Sequence, residues 1–285
     1  MTVTPPSELS VRGAHTMQGR TGPAVRTFTP GTPGTPGTPG TPGTPGTQGF
    51  SSPGPAADAP PVLLLHGFGS DGDRDWVATG TVRALTDAGR TVLVPDLPGH
   101  GDSPAPSAAA EAGAPALAAA LLTVLDEAGA TAFDAVGYSL GARLLWELAG
   151  AAPDRLRRAV LGGLSPAEPF EAVDVRALHR AVADGTEPAD PFTAMIAGMV
   201  RAHGDRAAAL ALCVEGLRGT PFVPRGWAGA TPPVFVVGAD DVMTRGIERI
   251  VAGIEGAELT TVPGGHQDAL ADAAFRRAVL EVLAR

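Results

Sequence analysis

In Gly137-Tyr138-Ser139-Leu140-Gly141 a serine is wedged between two glycines where one kind of sequence gives way to another. The residues before it, Ala132-Phe133-Asp134-Ala135-Val136, form a short, mainly apolar run like a buried strand, and those after it, Ala142-Arg143-Leu144-Leu145-Trp146-Glu147-Leu148-Ala149, read as a helix. A strand that turns directly into a helix strains the backbone of the turn residue and leaves room only for small neighbours. The strain holds the hydroxyl proud of the sheet edge, and the following N–H, that of Leu140, points at a developing oxyanion. A five-residue match can arise by chance in a Gly-rich, Ala-rich chain, so its weight depends on which groups follow and in what order.

A hydroxyl needs a base to become a nucleophile, and the base needs an acid to orient it. Downstream, Pro233-Val234-Phe235-Val236-Val237-Gly238-Ala239-Asp240-Asp241 is an apolar run ending in glycine and two acids, as a buried parallel strand delivers a carboxylate at its C-terminal edge. Leu259-Thr260-Thr261-Val262-Pro263-Gly264-Gly265-His266 reads as another short strand, ending in a Gly-Gly-His turn. Upstream, Pro61-Val62-Leu63-Leu64-Leu65-His66-Gly67-Phe68-Gly69 runs into a Gly-flanked loop, and Thr91-Val92-Leu93-Val94-Pro95-Asp96-Leu97-Pro98-Gly99-His100-Gly101-Asp102-Ser103 gives another strand and turn.

The order Ser, Asp, His is that of the α/β-hydrolases. From about residue 60 to 285 the chain resembles this superfamily at each of these motifs. The resemblance implies an α/β fold, with a mostly parallel sheet covered by helices on both faces and a helical lid inserted after the strand at Arg158-Ala159-Val160-Leu161. It implies Ser139 as nucleophile, His266 as base, Asp241 as acid, and the N–H groups of Phe68 and Leu140 as oxyanion hole. Asp240 competes with Asp241, and the family spacing of three residues past the strand-end glycine favours Asp241. His66 and His100 sit in motif loops and read as structural.

Composition narrows the function classes. The 285 residues are 44% hydrophobic, enough for a sizeable core, and the net charge of −9 argues against a nucleic-acid partner. The one cysteine, Cys213, has no partner for an internal disulfide, no run approaches the ~18 apolar residues of a membrane span, and Met1 to Ser10 does not read as a signal peptide. The expectation is a cytoplasmic protein without a membrane partner. No P-loop or GxGxxG follows a strand and no paired-Cys or HxxxH spacing occurs, so neither cofactor nor metal is expected.

Three organisational expectations remain. Residues 1–29 contain candidate strands at Leu9 to Arg12 and Ala24 to Thr29, and residues 30–58 hold a Gly-Thr-Pro repeat that reads as a disordered or polyproline-II-like tract within the domain. Residues 59–285 form the domain proper, with helices at Trp76 to Ala88 and Ala116 to Leu125. The lid spans about 165–230, with helices at Val173 to Ala183 and Arg206 to Gly216. Phe192, Met195, Ile196, Met199 and Val200 make one helical face, read first as packing the lid onto the core and second as lining an acyl pocket.

These observations point to a cofactor-free serine hydrolase acting on a small-molecule ester or related acyl substrate. Serine at the elbow disfavours the haloalkane dehalogenases and epoxide hydrolases, which place Asp there. Gly-Tyr-Ser-Leu-Gly-Ala-Arg also resembles the menaquinone-pathway synthase that eliminates pyruvate, in which an Arg at the position of Arg143 grips substrate. The competing reading of Arg143 is a structural pairing with a nearby acid. Carbon–carbon hydrolases and perhydrolases share every motif, and a non-catalytic binding role is the remaining alternative.

Overall fold

A computed structural model describes residues 22–30 and 59–285, so the Gly-Thr-Pro tract and the candidate strand at Leu9 to Arg12 lie outside the described residues. In chain order the elements are β1 (Val25–Phe28), β2 (Val62–Leu65), α1 (Thr81–Asp87), β3 (Val92–Pro95), α2 (Ala114–Glu127), β4 (Phe133–Tyr138), α3 (Leu140–Ala151) and β5 (Leu156–Gly162). Then follow α4 (Val175–Asp184), α5 (Pro191–Arg201), α6 (Ala207–Gly219), β6 (Val234–Gly238), α7 (Ile247–Ala252), β7 (Glu258–Val262), α8 (His266–Ala271) and α9 (Ala273–Ala284).

The strands form one sheet in the order β1-β3-β2-β4-β5-β6-β7. Pairing is parallel throughout except for β1, which runs antiparallel to β3. Alternation within the strands sorts their side chains. Leu63, Leu65, Phe133, Ala135, Leu161 and Phe235 join the core that holds α2, α3 and the α4–α6 insertion. Val62, Leu64, Val136, Val160, Val234 and Val236 join the opposite core with Trp76, Leu85 and α9 residues Phe275 and Val279. With both faces covered, the inner strands β2, β3 and β6 read as unbroken apolar runs, whereas the edge strands β1 and β7 are mixed and more exposed.

Local chemistry sets the element ends. Asp174 caps α4 by accepting from Ala177 N–H at 3.1 Å, and Asp190 caps α5 by accepting from Thr193 N–H at 2.7 Å, just ahead of Pro191. The helix expected over 76–88 is divided. Residues Asp73–Val77 make a π-type turn, Gly80 takes the left-handed conformation at φ 80°, and α1 begins only at Thr81. Sequence periodicity carries through this break, but a left-handed residue cannot sit inside an α-helix. The first strand is tied in through Arg26, whose Nη2 donates to buried Asp96 at 2.9 Å. The same carboxylate accepts from Gly72 and Asp102 N–H, so one side chain gathers β1 and two loops at the C-terminal edge of the sheet.

Candidate active site

At the turn between β4 and α3, Ser139 has φ 54° and ψ −113°, the single non-glycine residue with positive φ among the described residues. Such a conformation costs roughly 1–3 kcal/mol and persists only where the surroundings over-determine it. Here they do. Ser139 N–H donates to Gly162 O at 2.8 Å, continuing the sheet ladder, while its carbonyl already accepts from Arg143 N–H at 3.1 Å in the helix. A Cβ at Gly137 would fall 2.3 Å from Gly141 O, and one at Gly141 would fall 2.0 Å from Leu65 O. The two glycines are therefore what lets α3 start directly against β2.

Two strands away, β6 ends at Gly238 and a tight turn, Asp241 N–H to Gly238 O at 3.1 Å, presents Asp241. Its buried carboxylate accepts from Met243 N–H at 2.9 Å and lies 2.7 Å from His266 Nδ1, while Asp240 is exposed. His266 follows Gly264 and Gly265 as the first residue of α8. A proton on Nδ1 satisfies the contact with Asp241 and leaves the Nε2 lone pair available as a base.

The loop after β2 is held by two buried groups. Leu97 N–H donates to His66 Nε2 at 2.9 Å, so the proton must sit on Nδ1, which donates to Gly67 O at 2.8 Å. Burial pushes the His66 pKa down, in keeping with a neutral ring. On the other side, Asp75 accepts from Gly67 N–H at 2.8 Å and from Ser70 Oγ–H at 2.5 Å. Burial pushes the Asp75 pKa up. Because a trans peptide sets N–H opposite C=O, fixing Gly67 O toward His66 turns Phe68 N–H away from it.

These groups border a cavity of about 280 Å³ whose lining includes Phe68, Ser139, Leu140 and His266. Its remaining wall is largely apolar, with Leu164, Phe170, Leu217 and Phe222 joined by Phe192, Met195, Ile196 and Met199 from α5. The α5 stripe thus divides, which corrects the expectation that it only packs against the core. Ile196 and Val200 are buried in that core, whereas Met195 and Met199 are 59% and 40% exposed at the cavity. Arg143 and Glu168 also line it, at 4% and 1% side-chain exposure, with Nη1 2.7 Å from Oε2 in an ion contact that lacks hydrogen-bond alignment. Arg143 Nη2 donates to Thr220 O, and Glu168 accepts from Phe170 and Phe222 N–H at 3.2 and 3.3 Å. Burial pushes the Glu168 pKa up and that of Arg143 down, each partly offset by the other's charge. Among the described residues no group of three or more His, Cys, Asp or Glu could hold a metal ion, and no helix is long and apolar enough to cross a membrane.

Comparison with known proteins agrees with this fold. The family model of the alpha/beta hydrolase fold matches residues 60–191. The enol-lactonase from Burkholderia xenovorans superposes with a TM-score of 0.64 at 22% identity, covering 80% of this chain and 92% of that one. The chain has the α/β-hydrolase fold. Among curated relatives, this α/β-hydrolase-fold protein is 38% identical over 107 residues to pimeloyl-[acyl-carrier protein] methyl ester esterase of Aromatoleum aromaticum, 38% of each protein. It is also 38% identical over 112 residues to epoxide hydrolase A of Mycobacterium tuberculosis, 39% of this chain and 33% of that protein. The matches span 17–38% of the length of these curated relatives.

Within the α/β-hydrolase frame, Ser139, His266, Phe68, Leu140 and Arg143 border one cavity, and Asp241 stands behind His266. Asp75 and Glu168 were not singled out from the sequence. Asp75 precedes a tryptophan in an otherwise charged loop, and Glu168 lies 25 positions from Arg143; neither spacing follows a helical or strand period.

Proposed function

We propose that this protein is a cofactor-free serine hydrolase of carboxylic esters or related acyl compounds. The observation that carries the reading is the 2.7 Å contact between Asp241 and His266, set beside the cavity that Ser139 and His266 both line. In this reading His266 Nε2 takes the Ser139 proton as Oγ bonds to the acyl carbon, and the carbonyl electron pair moves onto oxygen. The N–H groups of Phe68 and Leu140 hold that oxyanion. Its collapse expels the alcohol, which takes the proton from His266, and water repeats the sequence to release the acid and restore Ser139. The apolar wall favours an apolar acyl group.

Two observations weigh against the rivals. Serine at the elbow favours acyl chemistry over epoxide opening. Arg143 is occupied by Glu168 and Thr220 O, which supports a structural role over the grip on a substrate carboxylate that a pyruvate-eliminating enzyme needs. The test is turnover of p-nitrophenyl esters of graded chain length by wild type, Ser139→Ala and His266→Ala. Each substitution should lower kcat by several orders of magnitude, and the double variant should be scarcely worse, because the groups act as a unit. A fluorophosphonate should label Ser139 covalently. Near-full turnover by Ser139→Ala would overturn the assignment.

A further inference from the structure

Tyr138 closes β4 immediately before Ser139 and is 2% exposed. Its ring crosses the end of β5, where two consecutive glycines make the space. A Cβ at Gly162 would fall 2.6 Å from Tyr138 Cδ2, and one at Gly163 would fall 2.8 Å from Cζ and 3.0 Å from His266 Cε1. Phe275 meets the ring edge-on at 5.5 Å between centroids, and the His266 imidazole lies 5.3 Å away on a tilted plane. The phenol's one polar atom donates to the backbone carbonyl of His266 at 2.5 Å. Burial, and then the charges of Asp241, Asp75 and Asp268, push the phenol's pKa up, so it remains a donor across the working pH range.

We propose that Tyr138 is a positioning residue that sets His266 relative to Ser139, an inference that rests on the reading of His266 as the base. Beyond the main-chain bonds of its turn, Asp240 N–H to Gly264 O at 3.0 Å and Ala269 N–H to Gly265 O at 2.9 Å, two side chains hold His266. Asp241 holds the imidazole at Nδ1, and Tyr138 holds the main chain at its carbonyl. The second contact matters because His266 follows Gly264, at φ 96°, and Gly265, and a pair of glycines leaves backbone freedom that the Asp241 contact alone does not remove. Tyr138 and Ser139 are adjacent in sequence, so the bond ties the loop carrying the base to the backbone of the nucleophile itself. A loosened imidazole would still reach Asp241 but would meet Ser139 Oγ less often, which lowers the rate of the chemical step and leaves substrate binding alone.

Tyr138→Phe tests this, since it removes the hydroxyl and keeps the ring. The expected result is a fall in kcat on the order of 10- to 100-fold, the scale of small misplacements of catalytic groups. KM should stay within about threefold, and the rate of covalent labelling by a fluorophosphonate should fall in parallel with kcat. Phe275→Leu separates positioning from packing, because it loosens the ring's support and spares the hydroxyl; it should lower the melting temperature while kcat stays within about threefold. Unchanged kcat in Tyr138→Phe, or an equal kcat defect in Phe275→Leu, would overturn the proposal. Ser139→Ala and His266→Ala are measured beside these variants. If they retain turnover, the reading of the base fails and this inference with it; if they lose turnover while Tyr138→Phe does not, only this inference fails.

Discussion

Asp240 and Asp241 are neighbours in sequence but differ in environment. The carboxylate of Asp241 is buried and accepts from both His266 Nδ1 and Met243 N–H, whereas Asp240 is exposed and contributes its main-chain N–H to Gly264 O at 3.0 Å. If Asp241 is the orienting acid, Asp241→Asn offers His266 an amide that can donate to Nδ1 and so stabilises the wrong tautomer. Turnover should fall on the order of 1,000-fold or more. Asp240→Asn should change kcat by less than about threefold, since exposed substitutions away from the site have small effects. The check is steady-state ester hydrolysis by the two variants side by side, and the reverse ranking would move the acid one residue upstream. The sequence alone separated the two residues only through the spacing seen in the resembling family. Burial, which gives that spacing its physical meaning, appears only when β6 is placed beneath the His266 loop.

At the scale of elements, the Arg143–Glu168 pair joins three parts of the chain. Arg143 sits on α3, Glu168 on the segment entering the insertion, and Thr220 and Phe222 on the segment leaving it. Both ends of the α4–α6 insertion are therefore pinned to the helix that begins at the elbow. Removing one partner of a buried pair leaves an uncompensated charge, so Arg143→Met should destabilise the protein by about 3–5 kcal/mol. Combining it with Glu168→Leu should cost less than the two single losses added together, because the stranded charge is gone. Urea denaturation of the four proteins checks this, and strictly additive losses would mean that the pair is not coupled. The insertion's helices were visible in the sequence because a 3.6-residue stripe is a local signal. The division of the α5 stripe was not, since which face meets the core and which meets the cavity depends on how α5 leans against α6.

At the scale of the molecule, pH links the motif loops to global stability. His66 and His100 pack with ring centroids 5.2 Å apart, both buried. Burial, followed by the charge of His66, holds His100 down at about 3, and burial lowers His66 as well. An unfolded histidine titrates near 6.5, so between that value and the folded one the unfolded chain binds more protons. Stability from His100 is thus complete above about pH 6.5 and is lost as pH falls toward 3, with a slope of up to about 1.4 kcal/mol per pH unit. Asp75 and Glu168, whose pKa values are raised, act in the opposite sense, which makes the wild-type profile a sum of both. The clean measurement is the difference between wild type and His100→Asn, whose amide can replace the Nδ1–H bond to Pro98 O at 3.0 Å. That difference should narrow as pH falls from 7 to 5, and a constant gap would show that His100 titrates alike in both states.

By itself the sequence determined the layered α/β order, the elbow around Ser139, and the succession of an acid and a histidine at later strand ends. Each of these is written locally, in strand-like apolar runs, in glycines where a Cβ cannot fit, and in polar residues placed where strands stop. Tertiary structure alone decided that Arg143 meets Glu168, that Asp75 and His66 grip the two sides of Gly67, that the methionines of α5 face the cavity, and that Tyr138 reaches the carbonyl of His266. These contacts join residues far apart in the chain or turn on which way a side chain leans. They follow from the packing of whole elements, where no local period or turn rule carries the information.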